Sequence, residues 1–185
     1  MASTIVLIRH GRVAIESDGL FSREDFLRFV EDYDAAPLCP DSRPAEKLTE
    51  RLRLARGLFA SELPRARESA RILFLDRDVR YDAMFNEEPH HVVPRLQFRM
   101  PLLAWFAWSR VGEAMSPSLH RAVAARGSIA AKRLIVEAHH GPTALIGHGW
   151  VNRFIARSLI ESGWRCSLRH GGSEPWFFRL FSSCE

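Results

Sequence analysis

Apolar and polar positions along the chain fall into two kinds of segment. Short, continuously apolar runs are typical of strands covered on both faces, and they occur at Thr4–Ile8, Leu58–Ala60, Val79–Tyr81, Thr143–Ile146 and Trp176–Phe181. Longer segments with helical periodicity alternate with them, at Arg23–Tyr33, Ala45–Arg56, Pro64–Phe74, Ser118–Ala138 and Val151–Ser162. Strands separated by helices of this length predict a three-layer α/β/α sandwich with a mostly parallel central sheet.

Bulk composition fits one globular domain over residues 1–185. Hydrophobic residues make up 46% of the chain and charged residues 26%, which is the balance of soluble proteins rather than of disordered ones. The three cysteines, Cys39, Cys166 and Cys184, are odd in number and form no C-x-x-C pair, so a reducing, cytoplasmic setting is expected. The N-terminus has no signal-peptide pattern, and Met100–Val111 is too short to cross a bilayer. We therefore expect no membrane partner.

The formal charge of +4 comes almost wholly from arginine, because only Lys47 and Lys132 among the 26 basic residues are lysines. Guanidinium groups fit phosphate and carboxylate oxygens, so the bias could reflect anion recognition, although a genome that favours arginine codons would produce it too. The arginines are dispersed and form no nucleic-acid motif, so nucleic acid is not an expected partner.

Two of the apolar runs end alike, in Arg9-His10-Gly11 and in Gly147-His148-Gly149. Ligands of open α/β sheets bind beyond the carboxyl ends of the strands, so His10 and His148 are expected to meet in one pocket. A glycine after each histidine would let backbone N–H groups approach an anion. Either histidine alone could equally be a strand-end residue bonded to nearby backbone.

A third strand, Leu58–Ala60, leads into a helix that begins at Pro64, a residue suited to the first helical position. Arg65 then lies in the first turn, where free N–H groups and the helix dipole attract anions. Two arginines and two histidines at one sheet edge indicate a site for a dianion.

The motifs resemble those of the histidine phosphatase superfamily, also called the phosphoglycerate-mutase-like family. Its R-H-G signature is similar to Arg9-His10-Gly11, and its late H-G block is similar to His148-Gly149. Its block S-x-L-x-R-A-x-x-[ST]-A is matched at Ser61, Leu63, Arg65, Ala66, Ser69 and Ala70. The resemblance spans residues 9 to 149 and implies the phosphoglycerate-mutase-like fold.

The family also carries a carboxylate after a mid-chain strand, in a pattern like D-x-x-L-x-E. Asp82 to Glu87 is similar, with Phe85 in the apolar position and Glu87 as the carboxylate. Glu88 is the rival, since neighbours on an extended segment point to opposite sides. Both could also be a solvated surface pair.

The resemblance implies a phosphomonoester hydrolase in which His10 forms a phosphohistidine and Glu87 is the general acid and base. Arg9, Arg65, Gly11, Gly149 and His148 would hold the phosphate, and no metal or other cofactor is required. Arg12, which departs from the family pattern, is a further candidate for phosphate binding because it follows Gly11. The substrate would be a small-molecule or peptide phosphomonoester. A mutase-type phosphotransferase and a catalytically silent phospho-ligand binding module remain the alternatives.

Three features leave their roles open. Arg12 stands where many relatives have an acidic or amide residue, and it is either a third guanidinium near the pocket or a solvent-facing side chain. The Met100–Val111 segment is either a lid or a core helix, with burial of its large aromatics favouring the helix. The pairs His90-His91 and His139-His140 have no metal-ligand spacing, so loop and helix-end positions are expected.

Overall fold

A computed structural model of the chain describes residues 3–91, 93–172 and 174–183. Within these residues the strands are β1 (Thr4–Arg9), β2 (Leu20–Phe21), β3 (Gly57–Ala60), β4 (Arg80–Tyr81), β5 (Met100–Pro101), β6 (Thr143–Gly147), β7 (Trp164–His170) and β8 (Phe178–Ser183). The helices are α1 (Arg23–Ala35), α2 (Glu46–Leu52), α3 (Pro64–Phe74), α4 (Leu102–Met115), α5 (Pro117–Ala138) and α6 (Gly149–Glu161). A 3-10 turn covers Ala83–Phe85.

The described strands form a six-stranded sheet in the order β4, β3, β6, β1, β8, β7. Strands β4, β3, β6 and β1 run parallel, whereas β8 is antiparallel to both β1 and β7. A separate two-stranded ribbon joins β2 to β5. The predicted three-layer fold with a mostly parallel sheet is confirmed.

Each face of the sheet has its own core, which explains why the central strands are continuously apolar. Val6 and Ile8 of β1 pack on one face with residues of α2 and α3. Ile5 and Leu7 pack on the other face against α5 and α6. Alternate side chains of a strand point to opposite faces, so a strand covered on both sides shows no polar position.

A third apolar cluster lies outside the sheet and joins α1 to α4. Phe26 and Phe29 of α1 pack with Leu102 and Trp105 of α4, and the rings of Phe26 and Trp105 stack with centroids 5.7 Å apart. Trp105 is fully buried, and its Nε1–H donates to the Phe21 carbonyl at 2.8 Å. The Met100–Val111 segment therefore contributes a helix that packs through Trp105, whereas Trp108 of the same segment is exposed.

Most element boundaries agree with the sequence pattern, and α3 matches it at both ends. Gly127 does not interrupt α5; a Cβ there would lie 2.7 Å from the Cβ of Phe154, so the glycine lets α6 approach closely. Strand β8 begins at Phe178 rather than Trp176, which has a positive φ of 62° and belongs to a turn. Strand β7 was not predicted.

No helix in the described ranges is both long and apolar enough to cross a membrane. Cys39 and Cys166 are free thiols, and Cys184 lies outside the described residues.

Candidate active site

The carboxyl ends of β1 and β3 and the start of α6 open into one cavity of about 1310 Å³. Most residues expected at the site line it: Arg9, His10, Gly11, Arg12, Arg65, Glu87 and Gly149. His148 lies just behind this lining, with its ring centroid 5.1 Å from that of His10. The structure thus brings together side chains from stretches that lie far apart in the sequence.

His10 is buried, and its hydrogen bonds define its protonation pattern. Its Nδ1 lies 2.8 Å from the Gly11 carbonyl, which can only accept, so Nδ1 carries the proton and Nε2 keeps the lone pair. Burial lowers the pKa of His10 well below its ordinary value, and the charges of Arg65 and Arg9 lower it further. The imidazole is therefore neutral in the ligand-free site.

A chain of hydrogen bonds fixes the tautomer of His148. The amide oxygen of Asn86 accepts from the Glu62 N–H at 2.9 Å and from the Ser61 hydroxyl at 2.8 Å. Since the only proton of that hydroxyl is used, Ser61 must accept from His148 Nε2, which lies 2.7 Å away. His148 therefore carries its proton on Nε2, and its buried Nδ1 has no partner among the described residues.

Burial also lowers the pKa of His148 well below the ordinary value, followed by the charges of His10, Arg65 and Arg9. Both imidazoles are consequently neutral while the site holds no anion. A dianion placed between them and the two arginines would reverse these electrostatic effects, because a negative charge within a few ångströms favours the protonated form of a histidine.

Arg65 projects from the first turn of α3 and is 2% exposed. Its NH1 donates to the Asp34 carboxylate at 2.7 Å, and its guanidinium lies 4.8 Å from the centre of the Tyr33 ring. The Nε atoms of Arg65 and Arg9 are buried without partners in the described part of the chain. Both arginines thus keep donor capacity for a ligand.

The N-terminus of α6 faces the same space. Gly149 is its first residue and lines the cavity, and a Cβ on it would lie 4.0 Å from Arg9 Nε. The Gly149 N–H donates to no other described residue. A helix start with a free N–H and a positive dipole end attracts an anion.

Glu87 is held at this helix start, where its two carboxylate oxygens accept from the N–H groups of Trp150 and Val151, each at 3.1 Å. Glu88 lies beside it but is paired with Arg126 and with His91 Nε2. Both glutamates line the cavity. Of the two, Glu87 is the one bound to the first turn of α6, the helix that His148 precedes.

Gly11 and Arg12, which were both expected to contact the anion, bind other groups of the protein in this structure. The Gly11 N–H donates to Ser69 Oγ at 2.9 Å, and a Cβ on Gly11 would lie 2.6 Å from the Trp176 ring, so this glycine serves close packing. The Arg12 guanidinium donates to Asp41 at 2.5 Å and its side chain is 56% exposed. Arg12 therefore shares features of both interpretations, because it lines the cavity while its guanidinium is largely exposed and paired with Asp41.

Sequence reasoning gave no role to Asn86 or Asp34, and it used Ser61 only as a motif position. Asn86 precedes Glu87, and its side chain reaches back to the end of β3. Asp34 is one of five acidic residues between 24 and 34, and nothing local distinguishes it. Only the packing of α1 on α3 brings it to Arg65.

The histidine pairs form no metal centre. Among the residues that the structure describes, no three His, Cys, Asp or Glu side chains are grouped to hold an ion. His90 instead bonds through Nδ1 to Ser109 at 3.0 Å, and its ring packs against those of Phe26 and Phe106. This network anchors the loop that carries Glu87 to α4.

Comparisons with known proteins give a structural result only, since neither a family model nor a curated protein matches the sequence. The structure is similar to phosphoserine phosphatase from Entamoeba histolytica in complex with 3-phosphoglyceric acid, at a TM-score of 0.58 and 13% identity over 85% of this chain and 80% of that chain. It is also similar to a candidate alpha-ribazole-5'-P phosphatase from Escherichia coli, at a TM-score of 0.52 and 23% identity over 85% and 79% of the two chains. Both neighbours are members of the histidine phosphatase superfamily, and the chain has the fold of that superfamily.

Proposed function

We propose that the protein is a phosphomonoester hydrolase that works through a phosphohistidine on His10. The observation that carries this proposal is the placement of the His10 and His148 rings, 5.1 Å apart, beside Arg9 and the buried Arg65 at one cavity. The substrate is a small-molecule or peptide phosphomonoester. Both structural neighbours are named as phosphatases, and the first holds 3-phosphoglyceric acid, which is a small phosphomonoester.

The first step is attack of the His10 Nε2 lone pair on phosphorus. The bond from phosphorus to the ester oxygen breaks, and the leaving oxygen takes a proton from Glu87. The Nδ1–H bond to the Gly11 carbonyl holds the ring and stabilises the cationic phosphoimidazole as it forms.

The second step returns the enzyme to its starting state. Water attacks the phosphorus while Glu87 accepts one of its protons, and the bond from phosphorus to Nε2 breaks. The products are inorganic phosphate and neutral His10. Protons and charge balance over the two steps, and neither step needs a metal ion.

Fixed positive charge supplies most of the transition-state stabilisation in this proposal. The phosphoryl group in flight spreads its negative charge over three equatorial oxygens. Arg9, Arg65 and the Gly149 N–H surround these oxygens and are in place before the substrate arrives. His148 joins them once the bound dianion favours protonation of its Nδ1.

The test is hydrolysis of p-nitrophenyl phosphate with a chelator present, comparing the wild type with His10→Ala. Loss of turnover in His10→Ala, with turnover kept in the control His139→Ala, is the expected result, because His139 is exposed outside the cavity. Rapid quenching should trap an acid-labile, base-stable phosphoryl group on His10. Absence of His10-dependent turnover would instead favour a phospho-ligand binding module.

A second assay separates hydrolase from phosphotransferase. Incubation with a monophosphoglycerate should release inorganic phosphate faster than it forms the isomeric phosphoglycerate. Faster isomerisation than release would contradict the hydrolase proposal and indicate a mutase.

A further inference from the structure

Three arginines from three different elements line the cavity that contains His10: Arg153 on α6, Arg169 on β7 and Arg179 on β8. We refer to them as the arginine trio. Within the described ranges, none of them forms an ion pair or a side-chain hydrogen bond. Four other arginines of the same cavity are each matched with a carboxylate, in the pairs Arg12–Asp41, Arg65–Asp34, Arg110–Glu113 and Arg126–Glu88. The arginine trio is thus a patch of uncompensated charge.

The trio is also crowded. Arg169 and Arg179 are directly opposite each other in the antiparallel pairing of β7 with β8. Their guanidinium carbons lie 5.4 Å and 5.3 Å from the centre of one aromatic ring, that of Phe177. Like charges opposite each other on paired strands destabilise a sheet, and contact with an aromatic face offsets this only in part.

The pKa of Arg179 reflects the same crowding of positive charge. Its pKa is lowered, first by burial and then by the neighbouring charge of Arg169, with Arg153 adding to the effect. This repulsion destabilises the protein when no anion is bound. An anion bound among the three side chains would remove it.

The backbone beside this charged patch is connected to the proposed phosphate site. Phe177, whose ring meets Arg169 and Arg179, accepts a hydrogen bond at its carbonyl from the Arg9 N–H at 2.8 Å. The preceding Trp176 N–H donates to the His10 carbonyl at 3.3 Å. The trio and the transferred phosphoryl group would therefore occupy neighbouring parts of one cavity.

We propose that the arginine trio binds a second oxyanion of the substrate, so that the preferred substrates are phosphomonoesters that carry a further phosphate or carboxylate. This inference rests on the proposed function and narrows its substrate class. Guanidinium forks suit both kinds of oxyanion, and each charge-assisted hydrogen bond contributes enough for about a tenfold gain in affinity. Arg12, the other candidate for a second anion, is neutralised by Asp41.

Binding to an inactive protein tests the inference without any turnover. Calorimetry on His10→Ala in chloride buffer would compare propyl phosphate, 3-phosphonooxypropanoate and propane-1,3-diyl bisphosphate, which share one carbon chain. At least one of the two doubly anionic ligands should bind about tenfold more tightly than propyl phosphate. The stronger of the two identifies whether carboxylate or phosphate is the better second anion.

The same titrations with Arg153→Gln or Arg169→Gln added should abolish this gain while leaving the affinity for propyl phosphate within about twofold. Arg165→Gln is the matched control, because Arg165 is exposed on β7 and lies outside the cavity lining. Both trio positions are exposed, so the variants should keep the melting temperature of the parent. Relief of the charge repulsion should offset any lost packing.

Three results would overturn the inference: no gain from the second anion, a gain that survives both trio substitutions, or a gain lost equally in Arg165→Gln. The proposed function fails separately, through absence of His10-dependent turnover in otherwise wild-type protein. Tight bisphosphate binding that depends on the trio, without turnover, would therefore support the second anion site and reject the hydrolase.

Discussion

His148 donates its Nε2 proton to the hydroxyl of Ser61, which lies 2.7 Å away at the end of the neighbouring strand β3. This hydroxyl donates in turn to Asn86, the residue next to the proposed acid Glu87. The bond leaves Nδ1 as the only atom of the buried ring that can gain a proton when an anion arrives. Three positions far apart in the sequence thereby control how one imidazole can bind a phosphate.

Replacement of Ser61 by alanine should reduce kcat for an aryl phosphate by roughly 10- to 100-fold, because it frees the His148 ring to rotate away from the productive geometry. The buried Nε2–H would also lose its acceptor, so the free energy of unfolding should fall by about 1–2 kcal/mol. Steady-state kinetics and chemical denaturation measure the two effects. Ser167→Ala, on the exposed part of β7, is the control, and an unchanged kcat in Ser61→Ala would contradict the positioning role.

Asp34→Asn tests how far an internal carboxylate competes with phosphate for Arg65. Without the Asp34 charge, the buried guanidinium loses its ionic partner, so the free energy of unfolding of the anion-free protein should fall by about 1 kcal/mol. Vanadate should bind about threefold or more tightly, since it meets an unneutralised arginine. Inhibition kinetics measure the affinity for vanadate, and denaturation in chloride buffer measures the free energy of unfolding.

Asp32→Asn makes the same change of charge two residues closer to the start of α1, at a side chain that has no ion pair among the described residues. This control should leave the free energy of unfolding and the affinity for vanadate nearly unchanged. Equal tightening of vanadate in the two variants would show a general effect of net charge rather than competition at Arg65.

NMR titration of the imidazole nitrogens tests the protonation pattern of the site. The pKa values of His10 and His148 are lowered by burial, so both rings should stay neutral between pH 8 and pH 6 in phosphate-free protein. Long-range nitrogen–proton spectra should show the Nδ1–H tautomer for His10 and the Nε2–H tautomer for His148. Saturating vanadate should raise the pKa of His148. Titration of either ring near pH 6.5 without an anion would contradict the arrangement.

His90 should make the fold sensitive to acid. Burial lowers its pKa to about 3, with the charges of Arg110 and His91 contributing, whereas its pKa in the unfolded chain is near the ordinary 6.5. Between these values only the unfolded chain binds the proton, so stability falls as the pH drops below 6.5 and is unaffected above it. The loss approaches about 1.4 kcal/mol per pH unit.

His90→Asn retains a polar group near Ser109 but removes this titration. The fall in the free energy of unfolding between pH 8 and pH 5 should be smaller than in the wild type by about 2 kcal/mol, as measured by denaturation at each pH. His139→Asn should behave like the wild type because that ring is exposed. The same pH dependence in His90→Asn and wild type would exclude His90 as the cause.

The sequence predicted those parts of the fold that depend on local pattern. Strand β1 and helix α3 are recognisable because a strand buried on both faces is wholly apolar and because proline favours a helix start. Strand β7 was missed because it lies at the sheet edge, where most of its positions face solvent and are polar. Its polar residues include Arg169, so the proposed second anion site could not be predicted either.

The candidate site also has some features that depend on local sequence pattern and others that do not. His10 and His148 were predictable because each comes directly after an apolar strand, and strand ends share one edge of the sheet. The sequence did not predict that Arg65 donates to Asp34 or that the Gly11 N–H donates to Ser69. These contacts depend on the packing of whole elements, about which short-range patterns carry no information.

Leaving-group dependence can decide between Glu87 and Glu88 as the general acid. An alkyl phosphate has a poor leaving oxygen that needs protonation, whereas p-nitrophenolate leaves without it. Glu87→Gln should therefore lower kcat/KM, which reports the phosphorylation step, by roughly 10²- to 10⁴-fold for an alkyl phosphate and far less for p-nitrophenyl phosphate. The glutamine keeps one oxygen that can accept from the N–H groups at the start of α6, so the fold should be retained.

Glu88→Gln is the matched comparison, because Glu88 lines the same cavity but is engaged with Arg126 and His91. It should lower kcat for both substrates by a similar and small factor, through movement of the loop. The reverse pattern, with alkyl phosphate turnover lost selectively in Glu88→Gln, would transfer the acid role to Glu88. Equal losses of kcat/KM for both substrates in Glu87→Gln would mean that Glu87 does not protonate the leaving oxygen and that its carboxylate instead orients the start of α6.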